Sequence, residues 1–135
     1  NKWCDFPLIM DKWLRCQAIS LCSKTIDIVS ELTKHGCYQN DNPNKVYALI
    51  GSFAQSNQLR FHQKDGQGYR LVTREIIATD IKNPQVAARI ATAFNLWNRF
   101  EPIRQNKMRE AIEEIGAHSQ LSRDLGEIID NALNR

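Results

Sequence analysis

Apolar residues recur at three- and four-residue intervals along most of this chain, the spacing that places them on one side of an α-helix. In "FPLIMDKWLRCQAI", Leu8 or Ile9 together with Trp13 and Cys16 make one such face. "KTIDIVSELTKHG" repeats the pattern with Ile26, Val29 and Leu32, and Gly36 follows Lys34 and His35 as a left-handed stop. A third helix runs from Pro43 through Val46, Leu49, Ile50 and Phe53. Asp65-Gly66 and Gly68 then mark a turn that needs positive φ, after which Tyr69, Val72, Ile76, Ile77 and Ile81 resume the helical spacing. The flanks of that turn do not alternate, so a β-hairpin is not expected, and "YRLVT" is too short a β-branched run to outweigh its surroundings. Pro84 opens a fifth helix that buries Val86, Ile90 and Phe94, with Trp97 and Phe100 closing its end. Pro102 opens a sixth, with Ile103, Met108, Ala111, Ile112 and Ile115 along one side and Gly116 at its end. Ser122 caps the last helix, whose stripe is Leu125, Ile128, Ile129, Ala132 and Leu133.

About seven helices on short loops imply an all-α fold, since neighbours joined by short connections pack antiparallel. One phrase is written twice, as "DNPNKVYALIG" and, 41 residues later, "KNPQVAAR". In each, Asn can accept a hydrogen bond from a first-turn amide, and Pro at the first helical position has no N–H to leave unpaired. The overlay sets Leu49 on Ile90 and Phe53 on Phe94, and the spacing falls within the roughly 40 to 47 residue period of helical-pair repeats. Stacked antiparallel helical pairs, a HEAT- or armadillo-like α-solenoid, are therefore expected rather than a closed bundle.

The chain has 135 residues, of which 42% are hydrophobic and 24% charged, ordinary values for one globular domain spanning 1–135. No apolar run approaches the ~18 residues of a membrane span, and "NKWCDFPLIM" lacks a signal peptide's basic and apolar regions. A soluble, cytoplasmic monomer with no membrane partner is the expectation. The abrupt start points to a piece of a longer polypeptide.

Charge is uneven. Residues 60 to 109 carry ten basic and four acidic side chains, whereas residues 110 to 135 carry two basic and six acidic. The four cysteines, Cys4, Cys16, Cys22 and Cys37, form no C-x-x-C pair and have no zinc-ligand spacing with His35, His62 or His118. Reduced core or half-buried thiols are expected. Phosphate-loop, dinucleotide and nucleophile-elbow motifs are absent, and Glu110, Glu113 and Glu114 face solvent on an amphipathic helix. This chain therefore supplies no catalytic residues and no metal ligands. Candidate chemistry rests on Gln85 and Arg89, one turn apart at the positive end of a helix dipole, where an amide and a guanidinium could together hold a carboxylate.

Several phrases in order carry a resemblance: "MDKW" with "QA", "NPNKVYALIGSFAQSN", "FHQKDGQGY", "NPQVAAR", "KMREAIEEI" and "SRDLGEIIDNAL". With them the chain resembles the C-terminal helical domain of the bacterial-type aminopeptidase N (alanyl aminopeptidase) family of zinc-dependent exopeptidases. The resemblance implies a four-domain enzyme whose last domain is a helical solenoid closing the cavity of an upstream, thermolysin-like catalytic domain. The zinc ligands and the motif that binds the substrate's α-amino group would lie in that upstream part of the same polypeptide, leaving this chain inactive alone. Carried over, Asn83, Pro84, Gln85, Val86, Ala87 and Arg89 form a helix facing the cavity. Gln85 would border the pocket for the first substrate side chain, and Arg89 would reach toward the far end of the peptide substrate. Some relatives carry Arg where this chain has Tyr47, which could replace the hydrogen bond of that residue but not its charge. The alternative is a HEAT-like interaction module whose basic middle binds an acidic protein or nucleic acid. Its aromatic residues sit mostly on apolar helical faces, where they cannot stack on bases, so no nucleic-acid partner is expected.

Overall fold

The protein was described from a computed structural model, which covers residues 7–34, 38, 42–63, 65–95, 97–118 and 121–133. Cys4, His35, Gly36 and Cys37 lie outside the described residues, as do the side chains of Leu8 and Ile9. The helices are α1 (Pro7–Ile19), α2 (Thr25–Leu32), α3 (Pro43–Val46), α4 (Ser52–Ser56), α5 (Gln58–Phe61), α6 (Gln67–Lys82), α7 (Pro84–Ala91), α8 (Pro102–Gly116) and α9 (Arg123–Leu133). A π-helical turn, Tyr47–Gly51, joins α3 to α4 without leaving helical dihedrals, so the two make one rod. Among the described residues there is no strand.

The pairs α6–α7 and α8–α9 stack with α8 beside α6 and α9 beside α7. On the other flank α2 meets α6, the π turn meets α7, and α1 lies along the π turn and α4. This is the expected α-solenoid of stacked pairs. Each helix gives an apolar stripe to one continuous core, in which Leu14, Leu49, Phe53, Phe61, Ile76, Ile90, Phe94, Met108 and Ile112 are fully enclosed. The overlaid residues of the two Asn-Pro phrases are thus equivalent in burial.

Three expected faces are turned. In α1 the buried side is Met10, Leu14 and Ala18, while Trp13 is 43% exposed and Cys16 is exposed. At ~100° per residue, Trp13 and Cys16 lie about 100° and 160° around from the middle of that stripe. The helix carries apolar residues on both sides, so periodicity alone could not choose, and the small Ala18 allows the closer approach. Ile81 and Ile103 are 61% and 54% exposed, lying about 170° and 130° around from the middle of the buried stripe of their own helices. The thiols of Cys16 and Cys22 are free and exposed rather than packed in the core.

Polar joints set the ends of the helices. Asn42 caps α3, its side chain accepting from the Asn44 N–H at 3.1 Å. Asn83 occupies the same position before α7 but makes no capping side-chain bond, so only one of the two Asn-Pro starts works as expected. The helix α5, not foreseen from spacing, is capped by Asn57, whose Oδ1 accepts from Arg60 N–H at 3.1 Å. The buried Asn57 amide also donates to the Ala18 and Ser20 carbonyls, at 2.9 and 2.8 Å, closing the C-terminal end of α1.

Of the two turn glycines, Gly66 takes the left-handed φ of 77°. Gly68 is helical and is required for another reason: a Cβ there would lie 2.4 Å from the Phe61 carbonyl oxygen and 2.6 Å from that of Arg60. At the far end, the buried Asp80 of α6 accepts from Ser122 N–H at 2.8 Å and from the Ser122 hydroxyl, which in turn accepts from Leu125 N–H at 3.2 Å and starts α9.

Ser122→Ala removes both the cap and a hydrogen bond to a buried carboxylate, and should cost about 2–3 kcal/mol in denaturant unfolding. Asn42→Ala should cost about 1 kcal/mol, and Asn83→Ala only a few tenths. Equal losses for the two asparagines would show that Asn83 caps α7 in solution.

Candidate functional site

The two Asn-Pro helices converge on one open cleft. The π turn inserts an extra residue into the helical ladder, and the Tyr47 carbonyl takes both the Ser52 N–H and, at 3.2 Å, the Ser52 hydroxyl. Such turns are frequent at functional sites because they re-aim the side chains around them. Here Tyr47 and Gly51 form the wall of a cleft of about 560 Å³, with Ser52 and Gln55 beside them and Arg89 of α7 opposite. The Arg89 guanidinium lies over the Tyr47 ring, 5.8 Å from its centroid, a cation–π arrangement. Arg15 of α1 contributes a second guanidinium. No carboxylate is among the lining residues, and neither arginine forms an ion pair with any described residue.

Arg89 and Tyr47 are therefore brought together. Gln85 is exposed one turn earlier on α7 and does not line the cleft itself. Arg15, Ser52 and Gln55 went unseen in the sequence because their meeting depends on how α1 docks. That docking is fixed by two polar ties. One is Asn57 at the C-terminal end of α1; the other is the buried Lys45 ammonium, 2.5 Å from the Asp11 carboxylate.

Four of the other basic side chains of residues 60 to 109 are engaged elsewhere. Arg60 donates to the Leu21 carbonyl and to Gln63, Arg74 to Ser30 and Glu75, Arg104 to Glu101 and the His62 carbonyl, and Arg109 to Glu113. Glu110, Glu113 and Glu114 are exposed, as expected. Among the described residues no three His, Cys, Asp or Glu side chains converge on a point where a metal could sit, and no helix is long and apolar enough to cross a membrane.

Gln55 also borders a second hollow, of about 310 Å³, with His62 and Phe100. His62 stacks on Phe100 with centroids 4.5 Å apart and shares a 2.7 Å hydrogen bond between Nδ1 and the Tyr69 hydroxyl. Burial, helped by the Arg104 charge, lowers the His62 pKa from 6.5 to about 4, and burial pushes Tyr69 up to about 12. Both are neutral at pH 7. Glu75, buried in α6, is also shifted upward by desolvation, which outweighs the hydrogen bond and charge of Arg74.

A stack of helical pairs, with a cleft between its elements lined by two arginines and no carboxylate, is an armadillo-type repeat domain. The chain belongs to the family described as "Domain of unknown function (DUF3458_C) ARM repeats", which matches residues 1–134. It is 39% identical to aminopeptidase N of Haemophilus influenzae and 38% identical to aminopeptidase N of Escherichia coli, each over 98% of this chain. A solved structure, Legionella pneumophila aminopeptidase A in complex with aspartic acid, superposes with a TM-score of 0.91 at 33% identity over 98% of the chain. The chain spans 15% of the length of each of these relatives and corresponds to the C-terminal region of aminopeptidase N.

The depressed pKa of His62 has a pH signature. Between about pH 6.5 and 4 the unfolded chain binds a proton at His62 that the folded chain does not, so stability falls as pH drops through this window. The loss should approach roughly 2–3 kcal/mol by pH 4 and should be absent in His62→Gln, as read from urea unfolding at a series of pH values.

Proposed function

We propose that this chain is the cavity-closing C-terminal domain of a zinc-dependent aminopeptidase that releases N-terminal residues from peptides. The observation that carries this reading is the cleft itself. It joins an oriented guanidinium, a phenol and an amide without a competing carboxylate, on a chain similar along almost its whole length to the C-terminal region of aminopeptidases. The donor set of the described residues does not fit zinc, so the metal and the groups that activate water belong to an upstream domain of the same polypeptide. The part played by this chain is binding: Arg89 holds the remote backbone or carboxylate of the peptide, and Gln85 borders the pocket for its first side chain. We place the enzyme in the cytoplasm, a reading supported by the exposed free thiols of Cys16 and Cys22, which a reducing compartment preserves.

The reading is tested in the full-length polypeptide by comparing peptides with single-residue amides. A charge-assisted hydrogen bond contributes about 1.5–3 kcal/mol, so Arg89→Ala should raise KM for peptides about tenfold or more, with a much smaller change for an amino-acid amide. Gln85→Ala should alter the preference for the first side chain. Activity should also be lost on treatment with a zinc chelator. Equal losses on peptides and amides after the Arg89 change would mark it as a structural residue and remove it from the site.

A further inference from the structure

The cleft holds a second cation that no mechanism yet uses. Arg15 leaves α1 on the side away from the buried stripe of Met10, Leu14 and Ala18 and lines the cleft that Arg89 lines from α7. We infer that Arg15 is a specificity-determining residue, the partner of Arg89 in a two-guanidinium clamp for a carboxylate carried by the peptide substrate. This rests on the reading that the cleft opens on the substrate cavity, and it adds the chemical class of ligand that the cavity favours.

Two like charges lining one cleft repel each other, and an anion between them relieves that repulsion. Within the described part of the chain nothing does so: the lining has no Asp or Glu, and the other polar side chains it offers are the neutral Tyr47, Ser52, Gln55 and Ser56. The two arginines are held differently. Arg89 is oriented by the face of Tyr47, 5.8 Å away. Arg15 is placed through its helix, because α1 is tied at Asp11 to the buried Lys45 and at Ala18 and Ser20 to the buried Asn57 amide. Residue 15 lies between these ties, so its Cα is fixed although its side chain is exposed. A guanidinium on each of two separate helices suits a carboxylate, whose two oxygens can each accept from a planar fork. An amide or ester at the same place would leave the repulsion in force. Peptides that bring a carboxylate to the cleft, as a free C-terminus or as an acidic side chain, are therefore favoured over neutral ones of the same length.

The experiment measures kcat and KM for the full-length polypeptide on a neutral tripeptide with a free C-terminus, the same tripeptide as its C-terminal amide, and an amidated tripeptide with Asp at the third position. Arg15→Ala should shrink the KM preference for the free acid over the amide about five- to tenfold, and Arg15→Lys, which keeps the charge, should retain part of it. A matching loss of preference for the amidated Asp peptide would show that the clamp accepts any carboxylate; no change there would restrict it to the C-terminus. If Arg89→Ala abolishes the acid preference and Arg15→Ala leaves it intact, the clamp is wrong while the cavity reading stands. If neither change affects the preference, the cleft does not meet the peptide and both readings fail. Equal KM increases on all three peptides after Arg15→Ala, with no rescue by Arg15→Lys, would also overturn the clamp by showing a structural role.

Discussion

A single buried amide, that of Asn57, governs how the first helix sits on the rest. The last carbonyls of α1 have no partners within their own helix, and an unpaired buried carbonyl would cost as much as the packing around it contributes. With its NH₂ group Asn57 meets one of them, that of Ala18, and the carbonyl of Ser20 just past the helix, and it uses its oxygen to begin α5, so one side chain ends one helix and starts another. The Lys45–Asp11 pair fixes the other end of α1. Apolar contacts alone would let α1 slide or roll, because it is apolar on both sides, whereas directional polar bonds admit one pose. That pose brings Arg15 to the cleft.

Opposite α1, the wall is shaped by irregular backbone. The π turn at Tyr47–Gly51 widens the helix where Tyr47 must stand under Arg89, and the Ser52 hydroxyl shares the carbonyl that the turn leaves accessible. Close approach elsewhere keeps this wall rigid: Gly68 lets the start of α6 press against the last carbonyls of α5, and Phe61 packs edge-on against Phe53, Tyr69 and Phe94 at centroid distances of 5.1–6.2 Å. The side of the cleft that carries Arg89 thus rests on a stiff aromatic cluster, which suits a surface that must present charge in a fixed direction.

Helical spacing, capping residues and the doubled Asn-Pro phrase were enough to read the all-α class, most helix starts and the stacked-pair arrangement. Stripes with one dominant face, such as Leu125–Ile129–Ala132, could be read directly. Where a helix carries apolar residues on more than one side, as α1 does, the buried side is chosen by neighbours distant in sequence, so spacing alone points Trp13 and Cys16 to a face that is not the buried one. The short α5 depends on Asn57 and on contacts around Phe61 rather than on any periodicity of its own. At the site, Arg89 was legible because it stands in an amphipathic helix opened by Asn83-Pro84, one turn after Gln85. Arg15 was not, since nothing local says that residues 15, 47 and 89 meet.

The last described helix has a bearing on when this surface can exist at all. In stacked repeats each unit is covered only by its neighbours, and α7 is covered on one side by α9. Trp97 seals that contact by donating its indole N–H to the Ala132 carbonyl at 2.7 Å. During synthesis, then, α7 emerges carrying Arg89 but with the side that packs on α9 bare, and it stays so until α9 has left the ribosome. The ligand-facing helix is completed by a segment made some forty residues later. A chain halted before that point would offer an apolar flank to chaperones and proteases rather than a finished binding wall, so the arrangement couples competence of the site to the synthesis of α9.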